Sequence, residues 1–229
     1  MRKAAFSFIL LALAALASPA GAHPGPPVVV ELFTAQGCSS CGDANALVGE
    51  LAEREDVLPL TFSVDYWDYL GWPDTFALPE FTERQQAYAK RLGPREVYTP
   101  QVVVDGRTQA SGAKPETVEE LVEEAAQASR NPPDMLYQLN GKIAVGSGPR
   151  PRGGAEVWLV RYDPAEVEVE VRKGDNRGET IKARNVVRQL VRLGGWRGRP
   201  NAYRLPAAEQ EGLETLVIVQ QTGGGEIIA

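Results

Sequence analysis

The most informative part of the sequence is VVVELFTAQGCSSC, residues 28–41. Its first half is a run of β-branched, aliphatic and aromatic residues, which is typical of a buried strand. A short loop follows, and then two cysteines separated by two serines. From residue 41 to about residue 54, the apolar side chains Leu47, Val48 and Leu51 fall on one face of a helix. The cysteine pair is therefore predicted to lie where a strand ends and a helix begins.

Two cysteines at the start of a helix have a specific chemistry. The first backbone N–H groups of a helix have no partner within it, and together with the helix dipole they favour negative charge. This environment favours the thiolate, which is the reactive form of cysteine. We predict that Cys38 is the attacking thiol and that Cys41, one turn further on, resolves a mixed disulfide. A structural disulfide or half of a metal site would have the same spacing.

The rest of the proximal half alternates strand and helix patterns. The predicted elements are a strand at 58–64, a helix at 79–92, two strands at 101–104 and 107–110, and a helix at 115–128. With the first strand and helix, the order is β-α-β-α-β-β-α over residues 23–130, an α/β domain. Its first helix connects parallel strands, and its last two strands form a hairpin.

Residues 131–134, Asn-Pro-Pro-Asp, interrupt the pattern and are predicted to be a linker. In residues 135–229 the apolar period changes to two, which is typical of half-exposed strands. Asn140-Gly141 lies between two short apolar runs and signals a hairpin. We therefore expect a smaller antiparallel β-rich domain at 135–229.

Composition excludes several classes of protein. Of the 229 residues, 43% are apolar and 24% are charged, as in a globular chain. One histidine and two cysteines are too few for a zinc site closed by His and Cys alone, or for a disulfide-dense scaffold. A net charge of −6 argues against a general nucleic-acid-binding function. We predict no resident metal and no other cofactor.

The N-terminus has the three parts of a secretory signal peptide. Arg2 and Lys3 form a basic start, residues 4–17 are apolar, and Ala20-Gly21-Ala22 matches a cleavage site. The apolar run of about 14 residues is shorter than the roughly 20 that a transmembrane helix needs. We predict that residues 1–22 are removed and that the mature protein has no membrane span. It would be exported, periplasmic or secreted, where disulfides persist.

A second motif, Val97-Tyr98-Thr99-Pro100, precedes the strand at 101–104. Together with the cysteine pair, it makes the chain resemble the thioredoxin-like superfamily. The resemblance implies that the Thr99–Pro100 peptide bond is cis and faces the cysteines. It also implies that Thr99 binds the extended backbone of a protein substrate. The alternative is an ordinary trans proline at the start of a strand, because cis X-Pro bonds are a small minority.

Longer blocks narrow the resemblance to the family catalogued as domain of unknown function 1223. The blocks are residues 31–41, 64–72, 98–106 and 185–188. Members of that family are mostly exported bacterial proteins with a thioredoxin-like core, and the family has no settled substrate. This chain departs from the expected pattern at Gly42-Asp43, where prolines would follow the second cysteine. Because of this difference, the redox properties of the cysteine pair cannot be taken over from the family pattern.

Glu31 is a further candidate, since it lies on the strand that leads to the cysteines. Thioredoxin-like enzymes often bury an acid near this position, and the resemblance implies that Glu31 moves protons to and from Cys41. The alternative is a carboxylate at the edge of the strand that faces water.

The aromatic loop, residues 65–72, begins at the carboxyl end of a strand and contains Tyr66, Trp67 and Trp72. We predict that these three residues contact a substrate, because exposed aromatic side chains mark interaction sites. Alternatively, they cap the core between the two domains.

Residues 172–204 contain ten basic and two acidic residues. They either bind an anionic partner, form a solvated face, or pair with acidic residues of the same chain.

Two functions follow from these observations. The first is a thiol-disulfide oxidoreductase that acts on a thiol or disulfide of a partner protein through Cys38 and Cys41. The second is a binding protein, whose cysteines bind a soft metal such as copper(I) as thiolates or form a static disulfide.

Overall fold

The computed structural model describes residues 25–93 and 96–229, so the predicted signal peptide, residues 1–22, lies outside the described residues. Three α-helices and twelve β-strands are present within those ranges. The helices are α1 (Gly42–Leu51), α2 (Pro79–Leu92) and α3 (Pro115–Gln127). The strands are β1 (Val28–Thr34), β2 (Val57–Ser63), β3 (Gln101–Val104), β4 (Thr108–Ser111), β5 (Met135–Gln138), β6 (Lys142–Val145), β7 (Ala155–Asp163), β8 (Val167–Glu170), β9 (Thr180–Ala183), β10 (Val186–Trp196), β11 (Asn201–Arg204) and β12 (Glu214–Gln221).

Seven strands form one mixed sheet with the order β12-β7-β10-β2-β1-β3-β4. Strands β1 and β2 are parallel and are connected by α1, while β3 and β4 form an antiparallel hairpin. Over the proximal half the element order is the predicted β-α-β-α-β-β-α. The strand and helix on either side of the cysteines are therefore both present.

The distal half differs from the prediction in how it joins the proximal half. Its strands are antiparallel to one another, as expected, but β7, β10 and β12 extend the large sheet. The junction is β10, whose Val186 pairs in parallel with Thr61 of β2. Without β10, strand β2 would be an open edge of the sheet, and open edges favour non-native pairing. The sheet is therefore continuous across the linker predicted at 131–134.

The sequence pattern does not predict β10, because basic residues interrupt its apolar residues. In the structure, Arg188 and Arg192 pair with Asp163 and Glu156 of the neighbouring strand β7, at 3.8 and 2.6 Å. Cross-strand ion pairs of this kind allow charged side chains to lie on a sheet. The neighbouring short strands β9 and β11 are also absent from the prediction.

Helices cover both faces of the sheet at β1. Helices α1 and α3 pack on the face that carries Val30 and Leu32, and α2 packs on the opposite face, against Phe33 and Phe62. All seven residues of β1 are buried for this reason. The cysteine loop thus begins from a strand that is held on both sides.

Two smaller antiparallel sheets complete the fold. Strands β11, β6 and β5 form one of them, and its Ile143 and Tyr203 pack on Val157 and Val219 of the large sheet. Strands β8 and β9 form a hairpin that lies against α1. Over the described part of the chain, no helix combines the length and the apolar character needed to cross a membrane.

Candidate functional site

Cys38 and Cys41 form a disulfide in the loop between β1 and α1, with their Cα atoms 5.5 Å apart. Cys41 caps the N-terminus of α1, and its carbonyl accepts a hydrogen bond from the Asn45 N–H at 3.0 Å. The Cys38 carbonyl accepts one from the Cys41 N–H at 3.2 Å. The prediction that the pair lies between a strand and a helix start is therefore confirmed.

The disulfide is buried, with each cysteine only 1% exposed. Both side chains belong to the apolar cluster that also contacts α2, and Tyr66 and Trp67 pack against that cluster. Ser40 is exposed and its Oγ lies 3.6 Å from Cys38 Sγ. A sulfur atom of another protein therefore reaches the disulfide only after a local movement.

Trp67 connects the aromatic loop to both predicted motifs. Its Cβ lies 3.5 Å from the position that a Cβ on Gly37 would occupy, so the residue packs on the cysteine loop. Its Nε1 donates a hydrogen bond of 2.8 Å to Thr99 Oγ1. The cysteine loop, the aromatic loop and the residue before Pro100 consequently meet at one place.

The Thr99–Pro100 peptide bond is cis, as the resemblance implies. Pro100 and the first turn of α1 both approach Gly112. A Cβ on Gly112 would lie 2.8 Å from Ala44 Cβ and 3.0 Å from Pro100 Cβ, which is too close for a side chain. Glycine at this position therefore allows Pro100 to lie near the helix that begins beside Cys41.

Gln36 anchors the cysteine loop, and the sequence did not identify it. Its backbone N–H donates to Asp74 Oδ2 at 2.7 Å, and its side-chain nitrogen donates to Thr75 Oγ1 at 2.8 Å. Its side-chain oxygen accepts a hydrogen bond from Trp72 Nε1 at 2.9 Å. The segment that follows the aromatic loop thus holds the chain two residues before Cys38.

The distal half provides one more contact to this region. The buried Asn176 donates a hydrogen bond of 2.7 Å from Nδ2 to the Gln36 carbonyl. In the same loop, a Cβ on Gly174 would contact Leu70 at 3.6 Å. The sequence GDNRG at 174–178 signals a turn, but a turn signal does not indicate what the turn contacts.

Of the three aromatic residues predicted to contact a substrate, the two tryptophans have hydrogen-bond partners within the chain. The indole N–H groups of Trp67 and Trp72 bind Thr99 and Gln36. The Tyr66 hydroxyl is buried beside Thr99 without a hydrogen-bond partner among the described residues, and this burial raises the pKa of Tyr66 to about 12. The two tryptophans therefore link the loops that surround the disulfide.

Glu31 is completely buried, so the alternative that its carboxylate faces water is wrong. Arg84 of α2 donates to both of its oxygens, at 2.6 and 3.2 Å, and the Tyr88 hydroxyl donates to Oε2. Within the described ranges, the hydrogen bonds of this carboxylate go to α2, and none goes to a cysteine. Burial acts to lower the pKa of Arg84, but the attraction and hydrogen bonds of Glu31, together with the smaller effects of Tyr88 and Glu156, outweigh it, and the pKa is raised.

In residues 25–93 and 96–229, no group of three or more His, Cys, Asp and Glu side chains is placed to hold a metal ion. The sulfurs of Cys38 and Cys41 would be the candidate ligands for a soft metal, and in the oxidised state they are bonded to each other. Any binding of copper(I) by these two sulfurs would therefore require the reduced protein.

Comparison with known proteins gives a family and two structural neighbours. Protein AGR_C_4864 from Agrobacterium tumefaciens, known from an X-ray crystal structure, is 30% identical, with a TM-score of 0.70 over 91% of this chain and 94% of that chain. HBP35 of Porphyromonas gingivalis is 14% identical, with a TM-score of 0.56 over 89% of this chain and 73% of that chain, a likeness of fold alone. No curated protein matches the chain. The family described as "Protein of unknown function (DUF1223)" matches residues 29–220, and the chain belongs to that family.

Proposed function

We propose that this protein is an exported thiol-disulfide exchange protein with a thioredoxin-like core. Cys38 and Cys41 would exchange electrons with a thiol or disulfide of a partner protein. The observation that carries the proposal is the Cys38–Cys41 disulfide at the start of α1. Support also comes from the Trp67–Thr99 hydrogen bond, which brings the residue before Pro100 to the cysteine loop.

The exchange proceeds in two steps in which electrons and protons balance. A partner thiolate attacks Cys38 Sγ, the Cys38–Cys41 bond breaks, and Cys41 leaves as a thiolate that takes up a proton. A second partner thiolate attacks the partner's own sulfur in the mixed disulfide and releases Cys38. The partner dithiol loses two electrons and two protons, and the two cysteines become thiols. The reverse sequence reduces a partner disulfide.

The start of α1 favours this chemistry on electrostatic grounds. Cys41 caps the helix without a side-chain hydrogen bond to it, so the first N–H groups of α1 are available to the departing sulfur. Backbone N–H groups and the helix dipole stabilise a thiolate at that place. Because the disulfide is buried, the covering residues open before exchange takes place.

The test measures the redox potential of the pair and the activity of its variants. We expect a potential between about −120 and −270 mV, the range of known exchange proteins. Cys38→Ser is expected to abolish insulin reduction, and Ser39→Ala, at the neighbouring exposed position, is the matched control. Cys41→Ser is expected to trap the partner on Cys38 for identification by mass spectrometry. Unchanged activity of Cys38→Ser contradicts the proposal.

A static disulfide is the second candidate, and the 1% exposure of each cysteine favours it. The two cysteines are three residues apart, so closure of this short loop contributes only about 2 kcal/mol to stability in the chain-entropy description. A potential below about −300 mV would support this candidate. One equivalent of copper(I) bound by the reduced protein, with thiolate absorption, would support the metal-binding alternative.

A further inference from the structure

The basic residues of the distal half differ in whether they have acidic partners. Most of those in and around β8, β9 and β10 form ion pairs: Arg172 with Glu170, Lys182 with Glu166 and Glu168, Arg184 with Glu53, Arg188 with Asp163, and Arg192 with Glu156. Lys173 and Arg177, between β8 and β9, have no ion pair with a described residue. Arg197, Arg199 and Arg204 lie after them in the chain. These three are exposed, and the structure gives them no ion pair with any described residue.

Three further basic residues lie on the same small sheet or on its loops. Lys142 of β6 is in register with Arg204 of β11, and Arg150 and Arg152 belong to the loop 146–154. Within the described ranges they too have no ion pair. We call this small sheet of β5, β6 and β11, together with the loops 146–154 and 197–200, the basic sheet.

The two loops of the basic sheet lie against each other. The Gly148 N–H donates a hydrogen bond of 3.3 Å to the Gly198 carbonyl, and a Cβ on Gly198 would lie 3.1 Å from Arg150 Cα. This close approach brings the arginines of the two loops to the same end of the sheet. Their positive charges therefore act together.

Acidic residues are absent from this part of the sequence. No Asp or Glu occurs in residues 135–155 or 193–208, although the chain has 30 acidic residues and a net charge of −6. Six basic side chains without acidic partners repel one another, and an anionic surface placed against them relieves that repulsion. The charge of the basic sheet is thus complementary to a polyanion.

The basic sheet also exposes apolar side chains. Leu139, at the turn between β5 and β6, is fully exposed, and Leu136 is 66% exposed. Leu136 is in register with Ala144 of β6, which is in turn in register with Ala202 of β11. Exposed leucines beside basic side chains are typical of proteins that lie on membranes. The apolar side chains enter the acyl boundary, and the basic side chains bind lipid phosphates.

We propose that the basic sheet is a docking surface for the anionic headgroups of a phospholipid membrane. Arginine binds phosphate through two parallel hydrogen bonds, which suits the four arginines of the two loops. Nucleic acid is also a polyanion, but it offers no apolar phase for Leu136 and Leu139. The protein would lie on the membrane through this surface, and the proposal does not depend on thiol chemistry.

Co-sedimentation of the full chain with vesicles tests the proposal. We expect binding to phosphatidylcholine vesicles that contain phosphatidylglycerol, little binding to phosphatidylcholine alone, and weaker binding as salt is added. Because each basic residue near an anionic membrane contributes about fivefold in affinity, Arg197→Glu with Arg199→Glu is expected to weaken binding at least about tenfold. Leu139→Ser is expected to weaken it several-fold.

The matched control is Lys90→Glu with Lys114→Glu, which makes the same change of charge at two exposed lysines outside the basic sheet. It is expected to bind like the parent protein. Equal binding to both kinds of vesicle, no binding to either, or an equal loss in the control overturns the proposal. Binding to single-stranded DNA that is as tight as vesicle binding, and insensitive to Leu139→Ser, also overturns it, since that result would assign the surface to a nucleic acid.

Discussion

The Trp67 indole donates a hydrogen bond of 2.8 Å to the Thr99 hydroxyl. This contact joins the residue that packs on Gly37 to the residue that precedes Pro100. It lies beside a disulfide whose two cysteines are each 1% exposed. The hydrogen bond between these two side chains is therefore expected to limit the access of a reductant to the disulfide.

Loosening this contact is expected to speed reduction of the disulfide. Trp67→Phe keeps an aromatic ring without the N–H, and Thr99→Val keeps the shape of threonine without the acceptor. A neutral hydrogen bond contributes about 1 kcal/mol, so each variant is expected to be reduced by dithiothreitol about fivefold faster. Thiol titration over time measures this rate.

The double variant serves as the internal check, because both changes remove the same hydrogen bond. It is expected to react no faster than either single variant. Tyr69→Phe, at an exposed position of the same loop, is expected to leave the rate unchanged. Parent-like rates in both single variants would mean that the disulfide becomes accessible by another movement.

Asn176→Ala is expected to destabilise the protein although it lies about 140 residues from its partner. The Gln36 carbonyl would lose the hydrogen bond from Asn176, and leaving a buried acceptor unpaired costs about 1–3 kcal/mol. Urea unfolding at neutral pH measures the loss of free energy of unfolding. Asn131→Ala, at an exposed position, is the control and should stay close to the parent. Equal stability of the two variants would show that Asn176 is dispensable.

The buried ion pair of Glu31 and Arg84 is expected to behave as a unit. Arg84→Met leaves the Glu31 carboxylate buried and uncompensated, which costs about 3–5 kcal/mol. The double variant Glu31→Leu with Arg84→Met removes both charges and is expected to be more stable than Arg84→Met alone. Denaturant unfolding of both variants measures this difference.

Glu31→Gln addresses the predicted proton-transfer role directly. The amide keeps an acceptor for Arg84 but no longer carries a charge or transfers a proton. A fall in the rate at which Cys41 resolves a mixed disulfide, beyond what lost stability explains, would support that role. An unchanged rate would leave Glu31 as the partner of Arg84.

Stability at high pH is expected to depend on Tyr66. Burial raises the pKa of Tyr66 to about 12, while a tyrosine in an unfolded chain ionises near 10. The stability that comes from burying the neutral phenol is therefore complete below about pH 10 and is lost as the pH rises through about 12. Burial also raises the pKa of Tyr88, so ionisation of Tyr88 likewise lowers the stability of the folded protein at high pH.

Tyr66→Phe is expected to reduce this alkaline loss. At neutral pH the change is expected to cost little, because the hydroxyl has no hydrogen-bond partner among the described residues. Urea unfolding of both proteins from pH 8 to pH 12 provides the measurement. If the free energy of unfolding falls equally with pH in the parent and in Tyr66→Phe, the assignment to Tyr66 is contradicted.

Local signals explain why the proximal elements could be predicted. Helix α2 begins at Pro79 and ends at Leu92, as predicted, because proline suits the first helical position and Gly93 adopts the left-handed conformation that ends a helix. Strand β3 also has its predicted bounds. The strand before the cysteines and the helix after them carry equally local patterns.

The distal elements carried weaker signals. The alternation of β10 is interrupted by Arg188 and Arg192, and only their partners on β7 make these charges compatible with a strand. The sequence shows ten basic residues at 172–204 as one group, whereas the structure places five of them in ion pairs and three on the basic sheet. Composition counts charges but does not show which of them are neutralised by neighbours.

Local sequence patterns were sufficient to place the cysteine pair at a helix start and to give the order of the proximal elements. Periodicity, capping residues and turn residues act over a few positions, so each segment carries that information within itself. The folded chain was needed to show that Asn176 reaches Gln36, that Arg84 neutralises Glu31, and that β10 continues the sheet beyond β2. Each of these contacts joins segments far apart in the chain, and neither segment carries a local pattern that specifies its partner.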